Sequence, residues 1–347
     1  MQESIKRSRV GLADPTVKYV ALGGDALALV AGDELRLVSL AGAGDPRVVS
    51  AHRLGWSPGG LSLSPSGRYA LLRDADESRL ALYDPARGAT ALEFFRTSEK
   101  PYPVPGALAS VGGEEVLLVS PRPYELEAYY LKDMTRAFLA PCNYPKSPLP
   151  FVFTHLHTHG ADARTVFALG YFLAEMLDSL ATFSFEELAA DPSAAARELR
   201  GRGRINDHAD RLAAGPCGTD CAVFFRDPGD NETPDEEDDR DDEEDEEDEE
   251  RGELWNFRGL YVRRVSDGSL VERLEYDAPI ATGAPIFATE RFFVVGREDG
   301  VELLPRAAAE AVDAAAMIPG RVYGLDHARR RFAVLDEAGD VEIIEVP

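Results

Sequence analysis

Short apolar runs, separated by Gly, Asp, Pro or Ser turns, recur along most of the chain. That pattern predicts many short β-strands. It is clearest between Gly60 and Arg96. There, residues 61–63 predict a strand, Pro65-Ser66-Gly67 a turn and residues 69–72 a second strand. Residues 74–78 predict a loop, residues 80–83 a third strand and residues 92–95 a fourth. Four antiparallel strands in roughly 40 residues make one repeating unit of a sheet array.

The same parse extends outward. One unit precedes (18–22, 27–30, 35–40, 48–51) and one follows (108–111, 116–120, 126–132, 136–140). A fourth starts near Phe151 and includes 166–173 and 180–185; a fifth takes 211–214, 221–226, 254–265 and 270–276. A sixth uses 280–288, 292–295 and 301–304, and a seventh 322–325, 332–335 and 341–346. The seventh is one strand short, and residues 5–11 are available to complete it. Ala-rich stretches at 192–200 and 307–316 favour helix and read as insertions.

Two motifs carry a family resemblance. Ser64-Pro65-Ser66-Gly67-Arg68-Tyr69-Ala70 resembles the S-P-D-G-R-x-L-A turn of WD40-like blades, and Leu82-Tyr83-Asp84 stands where those blades carry Trp-Asp. Tyr83 replaces the Trp and no Gly-His precedes the blade, so the resemblance is to the broad WD40-like β-propeller class. Resemblance and parse together imply an all-β fold: a seven-bladed β-propeller of four-stranded antiparallel blades, its ring closed by the N-terminal strand, with six or eight blades as the alternatives because the fourth and sixth units are irregular. Apart from the segment 227–252, the chain divides into seven parts of roughly 46 residues, near the expected repeat period. Residues 1–347 are expected to form one domain.

The chain has 347 residues, with 62 acidic against 37 basic side chains and a net charge of −25. A phosphate backbone or an anionic membrane needs clustered Lys and Arg, so neither direct nucleic-acid binding nor membrane attachment is expected. No apolar run marks a secretory signal or a membrane span. Three cysteines (Cys142, Cys217 and Cys221) are too few for a disulfide scaffold, which points to a reducing, cytoplasmic setting. The excess of Arg over Lys, with no Lys after Lys146, points to a GC-rich bacterial genome.

The charge is not evenly spread. Between residues 235 and 250 stand Asp235, Glu236, Glu237, Asp238, Asp239, Asp241, Asp242, Glu243, Glu244, Asp245, Glu246, Glu247, Asp248, Glu249 and Glu250, interrupted only by Arg240. Such a block has no apolar surface to offset chain entropy, so 227–252 is expected to be a disordered loop grown between the second and third strands of the fifth blade. It reads either as a solubilising loop or as the docking element for a basic partner. Weak binding of Ca²⁺ or Mg²⁺ is a third reading, although EF-hand spacing is missing. A fourth is internal: Arg197, Arg200, Arg202 and Arg204, expected in the connection between the fourth and fifth blades, offer a basic cluster on which it could fold back.

His155, His157 and His159 alternate along a predicted strand and would share a face. The stretch resembles the T-H-x-H-x-D-H element of metallo-β-lactamase-like hydrolases, but His159 and Gly160 stand where Asp and His are needed. It also resembles the H-x-H strand of amidohydrolase-type and polymerase-and-histidinol-phosphatase-type enzymes, without their strand–helix framework. Polar packing in an innermost strand is the simpler account. Cys217 and Cys221 read as buried thiols about a tight turn, since no second zinc-spaced pair follows. Arg329-Arg330-Arg331 reads as a solvated hairpin turn. Nucleophile-elbow, phosphate-loop and dinucleotide fingerprints are missing, and no catalytic, cofactor-binding or metal residue is assigned.

The expected function is a non-catalytic protein-interaction scaffold of a cytoplasmic bacterial assembly. Some propellers of this resemblance serve systems that include an ATPase, though no residue selects that setting. The alternative is a metal-dependent hydrolase or lyase with its site at the central channel, near His155, His157 and His159.

Overall fold

A computed structural model of the chain describes residues 5–41, 46–96, 104–123, 125–141, 151–158, 165–172, 178–192, 200–204, 213–217, 221–226, 259–264, 269–276, 278, 286–289, 291–297, 300–306, 316–326 and 330–346. After β1 (Lys6–Val10), the first sheet holds β2 (Val17–Gly23), β3 (Ala26–Ala31), β4 (Glu34–Ser39) and β5 (Arg47–Arg53). The second holds β6 (Pro58–Leu63), β7 (Ala70–Asp74), β8 (Arg79–Asp84) and β9 (Ala89–Phe95). The third holds β10 (Gly106–Val111), β11 (Glu114–Val119), β12 (Glu125–Tyr130) and β13 (Thr135–Pro141). In the fourth, β14 (Phe151–Thr158), β15 (Thr165–Phe172) and β16 (Asp178–Ser184) are followed by helix α1 (Phe185–Ala190) and then β17 (Arg200–Arg204).

The next eight strands form one continuous sheet of two antiparallel groups. The first group is β18 (Ala213–Cys217), β19 (Cys221–Arg226), β20 (Gly259–Arg264) and β21 (Leu270–Glu275); the second is β22 (Ile286–Ala288), β23 (Phe292–Gly296), β24 (Val301–Pro305) and β25 (Ala316–Ile318). They join through the parallel pairing of Cys217 with Ala288. Last come β26 (Arg321–Asp326), β27 (Arg331–Leu335) and β28 (Val341–Glu345). The N-terminal β1 completes this sheet, pairing antiparallel with β28 from Lys6 opposite Glu345 to Val10 opposite Val341.

The inner strands bury both faces, which is why they read as nearly unbroken apolar runs. On β3, Leu27, Leu29 and Ala31 pack with Ala333, Leu335, Val341 and Ile343 of the last sheet. The intervening Ala28 and Val30 pack with Leu63, Ala70, Leu72 and Tyr83 of the second. The same two-residue period recurs on β11, where Leu117 and Val119 meet the second sheet while Val116 and Leu118 meet the fourth. On β23, Phe293 and Val295 face the fifth group, and Phe292 and Val294 face the last sheet. First strands adjoin one another, β26 against β2, β2 against β6, β10 against β14 and β14 against β18. Sheets stacked face to face with their first strands together are the arrangement of a β-propeller.

A chain of polar contacts links the turns at one end of the sheets. Arg331 donates to the Gly24 carbonyl (2.7 Å) and to Asp326 (2.8 Å), joining the last sheet to the first. The Ser64–Tyr69 turn then packs on the Gly23-Gly24 turn. Gly67 takes φ +77°, and a Cβ there would lie 2.3 Å from the Gly23 carbonyl oxygen, so only glycine fits. Onward, Ser66 donates its N–H and Oγ to Glu115 (2.8 and 2.9 Å), and the Tyr69 hydroxyl donates to the Leu131 carbonyl (2.9 Å). The turn that resembles the WD40-like motif thus binds three successive sheets together.

Asp340 holds the N-terminal segment. Its carboxylate accepts the Leu12 and Ala13 N–H groups (2.8 and 2.7 Å) and Arg9 (2.5 Å). The Ala13 N–H, then Arg9, keep its carboxyl below the usual carboxylate range.

The structure corrects several sequence expectations. Helix α1, at Phe185–Ala190, is an additional helix ahead of the expected stretch 192–200, of which Pro192 is helical; Ser184 caps α1, its Oγ accepting from the Glu187 N–H at 3.3 Å. Ser184-Phe185-Glu186-Glu187 is a capping-box spacing that the composition of 192–200 overshadowed. Phe185 and Leu188 anchor the helix against Phe138 and neighbours of the third sheet. Arg200 lies in β17, and residues 193–199 lie outside the described residues. Likewise Ala316 opens β25, whereas 307–315 lie outside the described residues. Arg331 is buried and not solvated, being needed for the Gly24 contact.

Two outcomes are expected. Leu29→Ala should lower unfolding free energy by about 2–5 kcal/mol in urea titration, since it opens a cavity between the first and last sheets. The clasp at Asp340 should be acid-labile: its native carboxyl titrates below the unfolded one, so its contribution is present above the unfolded pKa and lost as pH falls through the native value. The protection factors of the β1 amides, taken against the intrinsic exchange rate at each pH, should therefore fall on acidification, and Asp340→Ala should show the lowered protection already at neutral pH.

Candidate interaction face

With four antiparallel strands per sheet, the turn between the second and third strands and the exit of the fourth lie at one end. The remaining turns, which include the polar chain just described, lie at the other. The acidic segment leaves from the first of these ends. The β19–β20 ladder is paired without interruption from Cys221 opposite Arg264 to Arg226 opposite Gly259. Arg226 and Gly259, the described residues that flank 227–258, therefore lie opposite each other. The fifteen acidic residues between Asp235 and Glu250, and the whole expected loop 227–252, lie outside the described residues. In sequence they stand between β19 and β20, the second and third strands of the fifth group.

The same end of the second sheet carries a stack of aromatic and cationic groups in which Trp56 and Arg79 are half-buried and Phe95 is exposed. Arg79 opens β8 opposite Phe95, the last residue of β9, and Trp56 lies in the connection entering β6. The Arg79 guanidinium carbon stands 4.4 Å from the Trp56 ring centroid and 5.4 Å from that of Phe95. Its Nε donates to Glu93 at 2.6 Å, which fixes the plane between the rings. Phe95 remains 53% exposed. Tryptophan and arginine are the residue types that dominate protein interfaces, and a pre-ordered stack loses little entropy on docking. Sequence reading passed over these three because they are far apart in the pattern and meet only through strand pairing.

Among the described residues, the exposed large hydrophobics Val48, Val49, Phe95, Leu139, Val271 and Met317 all lie on fourth strands: β5, β9, β13, β21 and β25. These strands form the outer edges of their sheets, which are open to pairing or contact with another chain.

The arginine cluster is placed differently from its expected connection. Arg200, Arg202 and Arg204 alternate with glycines along β17, the outer strand of the fourth sheet, with Arg200 opposite Thr182 and Arg204 opposite Ser179. An outer strand needs no apolar face, so Arg-Gly-Arg-Gly-Arg can pair there although it carries no strand pattern. Arg204 stands at the strand exit, the end shared with the acidic connection, and Arg200 at the opposite end. Arg197 lies outside the described residues.

His155 and His157 lie on β14, the first strand of its sheet, opposite Leu169 and Phe167; His159 lies outside the described residues. Among the described residues, no group of three or more His, Cys, Asp or Glu is placed to hold a metal ion. Cys142 also lies outside the described residues.

Cys217 and Cys221 face each other as the last pair of the β18–β19 ladder. Cys217 is buried and Cys221 half-buried. Arg306, after the end of β24, donates to the Cys217 Sγ at 3.2 Å and to the Thr289 carbonyl at 2.8 Å, while its Nε donates to Glu272 at 2.8 Å. Burial pulls the Arg306 pKa down, but Cys217 and Glu272 outweigh it and hold the guanidinium above its ordinary value.

No family model matches the chain, and no curated protein matches it. Solved structures do. Hydrazine synthase of Kuenenia stuttgartiensis is 11% identical, with 96% of each chain covered and a TM-score of 0.60. BamB from Moraxella catarrhalis is 11% identical, with 100% of this chain and 99% of that chain covered and a TM-score of 0.48. The likeness to the first, a β-propeller protein, shows that this chain has a β-propeller fold.

The stack is open to a direct check. Trp56 and Trp255 are the two tryptophans, so a Trp255→Phe background isolates Trp56. Arg79→Ala in that background should red-shift Trp56 emission and cost about 1 kcal/mol in stability, the usual scale of exposed cation–π pairs.

Proposed function

We propose that this protein is a cytoplasmic protein-interaction scaffold, a single-domain propeller of seven blades closed by β1, whose acidic connection docks a partner with a basic surface. The observation that carries the proposal is the ladder pair Arg226–Gly259 at the root of the acidic segment. That pair lies at the end that also carries the Trp56–Arg79–Phe95 stack, and the fifteen carboxylates stand in sequence between its two residues, which supports the reading. Two kinds of interaction then divide the work. A dense negative segment attracts and orients a positive partner over about a Debye length, roughly 8–10 Å in physiological salt. The stacked rings and outer-edge apolar residues supply short-range contact once the partner arrives.

The test replaces residues 235–250 by a neutral Gly/Ser linker of equal length. Intact and replaced chains are each used for affinity purification from the native host, with mass spectrometry of what is retained. A partner recovered with the intact chain is then purified and titrated. Its affinity should fall steeply with added salt, and by roughly tenfold or more with the neutral linker. Equal affinity for both chains, independent of salt, would sink the docking role.

A further inference from the structure

We propose that Cys217 and Cys221 form a redox-active dithiol, closing to an intramolecular disulfide by exchange with a small disulfide of the glutathione type, with Arg306 as its positioning residue. The placement comes first. Directly opposed residues of an antiparallel ladder have Cα atoms about 4.5–5.5 Å apart, inside the range of about 4.4–6.8 Å that a disulfide spans. Cys217 and Cys221 are such a pair, so their backbone separation suits a disulfide across the ladder. Both are thiols in this structure.

Arg306 is the second and independent observation. An arginine as far withdrawn from solvent as Arg306, whose side chain is 13% exposed, is costly to desolvate and normally spends its donors on oxygen. Here one edge of the guanidinium, Nε and Nη2, is engaged by Glu272 at 2.8 and 2.7 Å. The remaining Nη1 is left to the Cys217 Sγ and the Thr289 carbonyl. The face of the group lies 5.5 Å from the Phe293 ring centroid, so the cation is held rigidly. An N–H donated to sulfur by a cation favours thiolate over thiol, and the thiolate is the nucleophile of exchange.

Exposure sets the order of events. Cys217 is 3% exposed and Cys221 is half-buried, so the incoming disulfide meets Cys221. The Cys221 thiolate attacks one sulfur of the small disulfide, forming a mixed disulfide and expelling one small thiolate. The Cys217 thiolate, held against Arg306, then attacks the Cys221 Sγ and expels the second. The two protons leaving Cys217 and Cys221 end on the two expelled thiolates. One protein disulfide is formed as one small disulfide is reduced to two thiols. Oxidation also removes an anionic acceptor from Arg306, which ties β18 to the strands of the sixth group.

The test uses the full chain carrying Cys142→Ser, equilibrated in buffers of varying oxidised-to-reduced glutathione ratio, then alkylated and weighed intact. Expected is the simultaneous loss of two alkylatable thiols without added glutathione mass, with the loss mapped to the peptide holding both cysteines. Cys217→Ser should stop at the mixed disulfide on Cys221. Arg306→Lys keeps a cation for Glu272, and should slow the second step roughly tenfold while circular dichroism shows the fold retained. Two thiols persisting at the most oxidising ratio, or glutathione adducts as the end product, would overturn the dithiol. An unchanged rate in Arg306→Lys would overturn the part assigned to Arg306.

Discussion

Leu27 and Leu29 pack against the last sheet while Ala28 and Val30, between them, pack against the second; the architecture depends on this two-sided burial. A sheet with apolar residues on both faces cannot be satisfied by one neighbour, so each must be sandwiched. Residues of the first and last sheets also pack together. β1 contributes to that meeting twice, through its pairing with β28 and through Val10 in the shared core. Pairing also gives β28 a covered edge where an open one would otherwise invite another chain.

The two ends of the sheets are built differently. At one, short turns interlock through Arg331, Gly67, Ser66 and Tyr69, each placing a polar group on the next sheet. Insertion there would break contacts that span neighbouring sheets. At the other end, the second-to-third-strand connections are free to lengthen, because closure entropy grows slowly with loop size. The acidic segment stands between β19 and β20, and at the same end Trp56 lies in the connection between the first and second sheets.

The junction of the fifth and sixth groups shows how a fold constraint brings chemistry with it. One parallel residue pair joins them, and Arg306 reinforces it by reaching Thr289, Glu272 and Cys217 from different strands and their ends. A guanidinium with five donors in one plane suits that bridging better than any other side chain. Its last donor falls on a sulfur, and the sulfur has a second sulfur across the ladder.

How much was legible in the sequence follows from how burial works. Strands such as β3, β8, β11 and β27 were readable because an apolar run between turn residues has few other uses, and the Ser64–Tyr69 turn named the fold class through its local chemistry. The chain alone also determined the acidic segment and the connection that holds it. The outer strands β17 and β25 were not readable: a fourth strand buries little, so Arg-Gly-Arg-Gly-Arg can serve as well as an apolar stretch. Nor could the pattern foresee that Arg79 would lie between Trp56 and Phe95, that Arg331 would be buried, or that Arg306 would meet Cys217 across 89 residues. Periodicity records which face of an element is dry. Which residues from distant elements share a site is decided by strand register and sheet stacking, and those exist only in the tertiary structure.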